Sequence, residues 1–92
     1  MYKIKTTHQF EKDLKRCIKR GYPMDKFREV IKLLERDGRL PAEYCPHVLH
    51  GNREGQWECH IQSDWLLIWK QYDYELELLM LNTGTHSDLF KK

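Results

Sequence analysis

Trp65-Leu66-Leu67-Ile68-Trp69-Lys70-Gln71-Tyr72 decides the fold of this 92-residue chain. In an extended segment, Leu66 and Ile68 point to one face and Trp65, Leu67 and Trp69 to the other, so both faces are apolar. That is the pattern of a central strand covered on both sides. Just upstream, Gln56–Gln62 alternates, with Trp57, Cys59 and Ile61 on one face and Glu58 and His60 on the other. Downstream, after a turn at Asp73-Tyr74, Leu76–Thr83 reads as another strand.

The first half has a different period. Tyr2 to Lys5 alternates as a short strand, and Thr6 or Thr7 can then cap a helix that runs to about Arg20 and stops at Gly21. Phe10, Leu14, Cys17 and Ile18 form its expected buried stripe, with Lys12, Lys15, Arg16, Lys19 and Arg20 on the opposite side. Pro23 and Asp25 open a second helix, with Phe27, Val30, Ile31 and Leu34 facing the core, and Asp37-Gly38 closes it. From Arg39 to Gly55 neither period holds, so a loop is expected, long enough to suspect function. The order is β-α-α-β-β-β. It predicts an α+β fold in which two N-terminal helices pack on a curved, mostly antiparallel four-stranded sheet, one domain spanning residues 1–92.

Composition narrows the function classes. With 40% hydrophobic and 33% charged residues, the chain reads as a soluble protein with a modest core. Cys17, Cys45 and Cys59 make an odd count without paired spacing, which argues against a disulfide framework and for a reducing cytoplasm. The first residues lack an apolar signal region, and no run approaches a membrane span. The net charge of +2 is unevenly spread: residues 1–40 hold twelve Lys/Arg against six Asp/Glu, and residues 41–92 hold four against eight. Lys12, Lys15, Arg16 and Lys19 are thus either a track for RNA phosphates or a solvated helix face.

Histidines crowd the second half, where His47, His50, His60 and His86 all lie. Cleaving RNA without a metal needs a base for the 2′-hydroxyl, an acid for the leaving 5′-oxygen, and donors for the charged phosphorane. Imidazole suits the first two because its ordinary pKa, ~6.5, lies near working pH. Asp64 follows His60 by four residues, so it either orients that ring or simply opens a hairpin turn. His47 and His50 are spaced H-x-x-H, a weak zinc signal without a fourth ligand, and no metal or other cofactor is expected. Phe90 would stack on a base or close the core; Trp65, beside Asp64, would do the same, whereas Trp57 and Trp69 read as core.

Three stretches then carry a resemblance: H-V-L-H-G (His47–Gly51), H-I-Q-S-D-W-L-L-I-W (His60–Trp69) and T-G-T-H-S-D-L-F (Thr83–Phe90). In this order and spacing the chain resembles the YafQ branch of the RelE-superfamily toxins of bacterial toxin–antitoxin systems. The resemblance implies a RelE-like fold and metal-independent cleavage of mRNA in the ribosomal A site. Its catalytic set falls on His47, His60, Asp64 and His86, with Phe90 packing on a base. His86 and His60 would be the principal proton-transfer and phosphate-binding groups, their roles as base and acid left open. The partners implied are the ribosome with its mRNA and a cognate antitoxin of the ribbon-helix-helix type, DinJ- or RelB-like, through which alone operator DNA is bound. Trp57 departs from the pattern, standing where relatives commonly carry Arg. Lys91 and Lys92 would attract RNA or keep the tail soluble. Related toxins that poison gyrase, and a catalytically silent antitoxin-binding domain, are the alternatives; a gyrase binder has no reason to carry the histidine set, and in a silent domain the histidines would be remnants.

Overall fold

The computed structural model describes residues 1–90; Lys91 and Lys92 lie outside the described residues. Strand β1 (Lys3–Thr6) leads into helix α1 (His8–Lys19) and helix α2 (Met24–Asp37). Strands β2 (His47–Val48), β3 (Trp57–Gln62), β4 (Trp65–Tyr72) and β5 (Glu77–Gly84) follow, and a short helix α3 (His86–Phe90) completes the series. The sheet has the order β1-β5-β4-β3-β2, antiparallel except for the parallel pair β1–β5.

The expected fold class holds, with five strands in place of four. The added strand, β2, is only two residues long, too short to show a period, and lies inside the stretch expected to be loop. Two 3-10 turns, Ala42–Tyr44 and Gly51–Arg53, flank it. Backbone pairing of His47 with Glu58 and of Val48 with Trp57 thus pins this segment to the sheet edge.

The central position of β4 follows from its sequence: Trp65 through Trp69 are all buried. Cys59, Ile61, Trp65, Leu67, Trp69, Leu78 and Met80 meet Phe10, Cys17, Val30 and Leu34 from the helices in one core. Leu66 and Ile68 alternate to the other face, the face of Glu58 and His60, and are also fully buried. Trp65 is held by more than packing, because its indole N–H donates to Thr83 Oγ1 at 2.8 Å, whose own hydroxyl donates to the Leu66 carbonyl at 2.7 Å.

Thr7 is the cap of α1, its hydroxyl accepting from Phe10 N–H. The buried positions of that helix are Phe10, Asp13 and Cys17, with Leu14 partly covered. Ile18, expected in the stripe, is 53% exposed, and Asp13, at 2%, takes a buried place instead. The reason lies in the sheet edge. β1 pairs with β5 only as far as Met80, so beyond it the peptide of Thr83 faces α1 without a strand partner. Asp13 accepts its N–H at 3.2 Å and Arg16 donates to its carbonyl at 3.2 Å, two side chains one turn apart taking the place of the missing strand. All three cysteines are free, and no described helix is long and apolar enough to cross a membrane.

Candidate active site

The site-bearing tail begins at Gly84, where a Cβ would stand 2.8 Å from Asp88 Oδ2 and 2.9 Å from an Arg16 guanidinium nitrogen. Only glycine lets the chain pass so near its own anchor. α3 then starts with a reciprocal cap. Thr85 Oγ1 accepts from the Asp88 N–H at 3.1 Å, and Asp88 accepts from the Thr85 N–H at 2.9 Å. The same carboxylate takes both arms of Arg20, at 2.6 and 3.1 Å, and lies 3.7 Å from Arg16. The Arg20 hydrogen bonds hold the Asp88 carboxyl well below the usual carboxylate range, and the Thr85 donors add to the effect. In turn, the Asp88 bond raises the Arg20 pKa.

This anchor carries His86 back over the β3–β4 turn. Its Nδ1–H donates to Asp64 Oδ1 at 2.8 Å, and its backbone N–H reaches the same oxygen at 3.1 Å. Of the two readings of Asp64, the hairpin turn is the one seen: it lies in the β3–β4 turn and its carboxylate meets His86 at the start of α3, not His60. The ring bond, then the backbone bond, lowers the Asp64 pKa. His60 finds a different partner, the Ser63 carbonyl, 3.2 Å from its Nδ1. A carbonyl only accepts, so the Nδ1 proton sits there and Nε2 faces outward with its lone pair in the neutral ring. The His60 and His86 rings are 5.9 Å apart, and the Phe90 ring follows 6.1 Å beyond His86.

His47 lies on the same sheet face, directly across from Glu58 and diagonal to His60. Its Nδ1 meets the Cys45 carbonyl at 2.8 Å and its Nε2 the buried Glu58 carboxyl at 3.0 Å. Both ring nitrogens therefore face oxygens, one a backbone carbonyl and the other a carboxyl. His50 stands apart, exposed and 3.7 Å from Glu54. Among the described residues no three His, Cys, Asp or Glu side chains are grouped to hold a metal ion.

Two residues expected to meet RNA are used internally. Trp65 is 3% exposed and hydrogen-bonded in the core, so its ring is not offered to a base. Arg16 is occupied with Thr83, Asp13 and Asp88. Lys12, Lys15 and Lys19 remain exposed on α1. Trp57 faces the helix side, where it stacks on Trp69 with centroids 6.1 Å apart, away from the histidines. Sequence reasoning missed Arg53, Asn82 and Glu58. The strand alternation that marked His60 also put Glu58 on its face, but Arg53 lies in a stretch without any period.

Residues 2–91 match the family model of the YafQ toxin, a bacterial toxin of type II toxin–antitoxin systems. The mRNA interferase toxin YafQ of Escherichia coli K12 is 38% identical over 88 residues, covering 95% of this chain and 94% of that protein. The E. coli DinJ–YafQ complex contains a chain that superposes with a TM-score of 0.87 at 36% identity, covering 98% of this chain and 99% of that one. A metal-bound toxin from Helicobacter pylori superposes with a TM-score of 0.88 at 33% identity, covering 98% and 100%. On a match that runs through nearly every residue and every element, this chain belongs to the YafQ family of type II toxin–antitoxin toxins.

Proposed function

We propose that this chain is an mRNA interferase that cleaves mRNA in the ribosomal A site by His/Asp acid–base catalysis, without a metal. The observation that supports it most is the row His60–His86–Phe90 with Asp64 behind His86. Two imidazoles 5.9 Å apart can face the two oxygens of one phosphate, one to take a proton and one to give it. The Asp64 carboxylate offsets the charge of an imidazolium, which suits His86 to the acid that protonates the leaving 5′-oxygen. His60 meets only a neutral carbonyl and keeps Nε2 for the 2′-hydroxyl proton. Phe90, 42% exposed at the end of the row, would pack against a base. His47, held by Glu58 and the Cys45 carbonyl, would be a third contributor. Lys12, Lys15 and Lys19 would follow RNA phosphates. A DinJ-type antitoxin would be the partner that restrains it, DinJ being the protein complexed with YafQ in the E. coli structure, and operator DNA would be reached through that antitoxin alone.

The test is growth and mRNA integrity on translating ribosomes for the wild type beside His86→Ala and His60→Ala. Each variant should lose ~10²–10⁴-fold in cleavage rate, the usual share of an acid or base. Products should carry a 2′,3′-cyclic phosphate and a 5′-hydroxyl, the signature of 2′-oxygen attack. Growth arrest with intact mRNA and broken DNA would instead make this a gyrase poison, and a 5′-phosphate product would point to hydrolysis by an activated water.

A further inference from the structure

The phosphorane formed by 2′-oxygen attack gains negative charge that the two histidines, busy exchanging protons, do not hold steadily. A preorganised cation there is worth more than one recruited from solvent. A cation that does reach the row is Arg53. Its guanidinium carbon lies 5.9 Å from the centroid of the Phe90 ring, within cation–π range. Nη1 donates to Gln56 Oε1 at 2.8 Å and Nη2 to Asn82 Oδ1 at 3.0 Å. Both acceptors are neutral amides, and among the described residues no carboxylate pairs with it. Its charge is thus held in place but not cancelled. A guanidinium has five N–H donors. Two are spent here, which leaves three for phosphate oxygens.

The aim of this cation is set from the far side of the sheet. Asn82 Nδ2 donates to Asp13 Oδ2 at 3.1 Å, and the same carboxyl receives the Thr83 N–H. Asp13 is surrounded by donors, so the Asn82 amide must turn its nitrogen to Asp13 and its oxygen to Arg53. A buried acid on α1 thereby fixes an amide on β5, and that amide fixes the arginine beside the row.

We propose that Arg53 is the phosphate-holding cation of this site, a catalytic residue, with Gln56 and Asn82 as its positioning residues. The proposal rests on the nuclease reading above. The test is single-turnover cleavage on mRNA-programmed ribosomes by Arg53→Ala, Arg53→Lys and His86→Ala, with thermal unfolding of each as the check on folding. Arg53→Ala should lower the rate at saturating ribosomes ~10²–10³-fold, the usual loss for one oxyanion donor, with a smaller change in KM. The shape of its pH–rate profile should match the wild type. Arg53→Lys, a point charge without the fork, should fall between. Added guanidinium ion should restore part of the Arg53→Ala rate and none of the His86→Ala rate. A folded Arg53→Ala that keeps its rate, loses only in KM or ignores guanidinium overturns the assignment, provided His86→Ala is inactive. If His86→Ala also keeps full activity, the nuclease site itself is misread.

Discussion

Replacing Asp88 by alanine should unfasten the tail that carries His86 and Phe90 while leaving the helices and sheet standing. The side chain is 15% exposed and accepts the Thr85 N–H at 2.9 Å, a charge-assisted bond that closes the first turn of α3. Such a bond is worth about 2 kcal/mol when partly buried. That corresponds to about thirtyfold in the ratio of docked to undocked tail. The Arg20 fork adds to this, discounted because the arginine is 38% exposed. A five-residue helix has no stability of its own to fall back on. The core loses nothing directly, since Trp65, Thr83 and Leu66 keep their hydrogen bonds. Two measurements separate the levels: hydrogen exchange of the Leu89 amide, which donates to the Thr85 carbonyl, and single-turnover cleavage. The amide should lose protection and the rate should fall by up to about thirtyfold, with the thermal midpoint nearly unchanged. A rate that survives loss of Leu89 protection would refute the need for a docked tail. A midpoint that falls in step with the rate would show that the anchor holds the whole fold, not the site.

Other outcomes follow from the same geometry. Trp65→Phe should cost about 2–3 kcal/mol in urea unfolding, from the lost bond to Thr83 and the space left in the core, with little change in the cleavage rate of the folded protein. A large loss of rate at unchanged stability would restore Trp65 to RNA contact. Acid should undock the tail late. The folded pKa values of Asp88 and Asp64 are both depressed, so their contributions are complete above the unfolded carboxylate value and are lost only as pH falls through the depressed ones. Leu89 protection and the Asp64–His86 contact, followed by NMR, should therefore persist through pH ~4, where free carboxylates are half protonated. Undocking at that pH would contradict the ion-pair account.

What could be read from the residues and what could not divides along physical lines. The strand Trp65–Tyr72 announced itself because burial on both faces leaves an unbroken apolar run, and the helices did so by their spacing. The two-residue β2 had no length over which a period could appear. Ile18 followed the helical stripe yet is exposed, whereas Asp13 broke it yet is buried. No local pattern reveals where β1 stops pairing with β5, and that stop is what calls Asp13 inward. The histidines were visible by type, but their partners depend on how the tail folds back, so the spacing offered Asp64 only His60 or a turn and never His86. One signal was legible and unused: Thr85 and Asp88 have the spacing of a capping box, which marks a helix start and separates the inward Asp88 from the outward His86 and Phe90.

The parallel pairing of β1 with β5 has a consequence for the order of assembly. Ile4 lies beside Leu78, so the second place in the sheet stays vacant until late in synthesis. A nascent chain can form its helices and the β3–β4 hairpin early, but it cannot close the sheet, seat Thr83 against α1 or hang the tail until β5 has emerged. Contacts this distant along the chain are also slow to form. On the proposed reading, each new molecule is disarmed while it is being made. Until β5 inserts, that molecule has no assembled site.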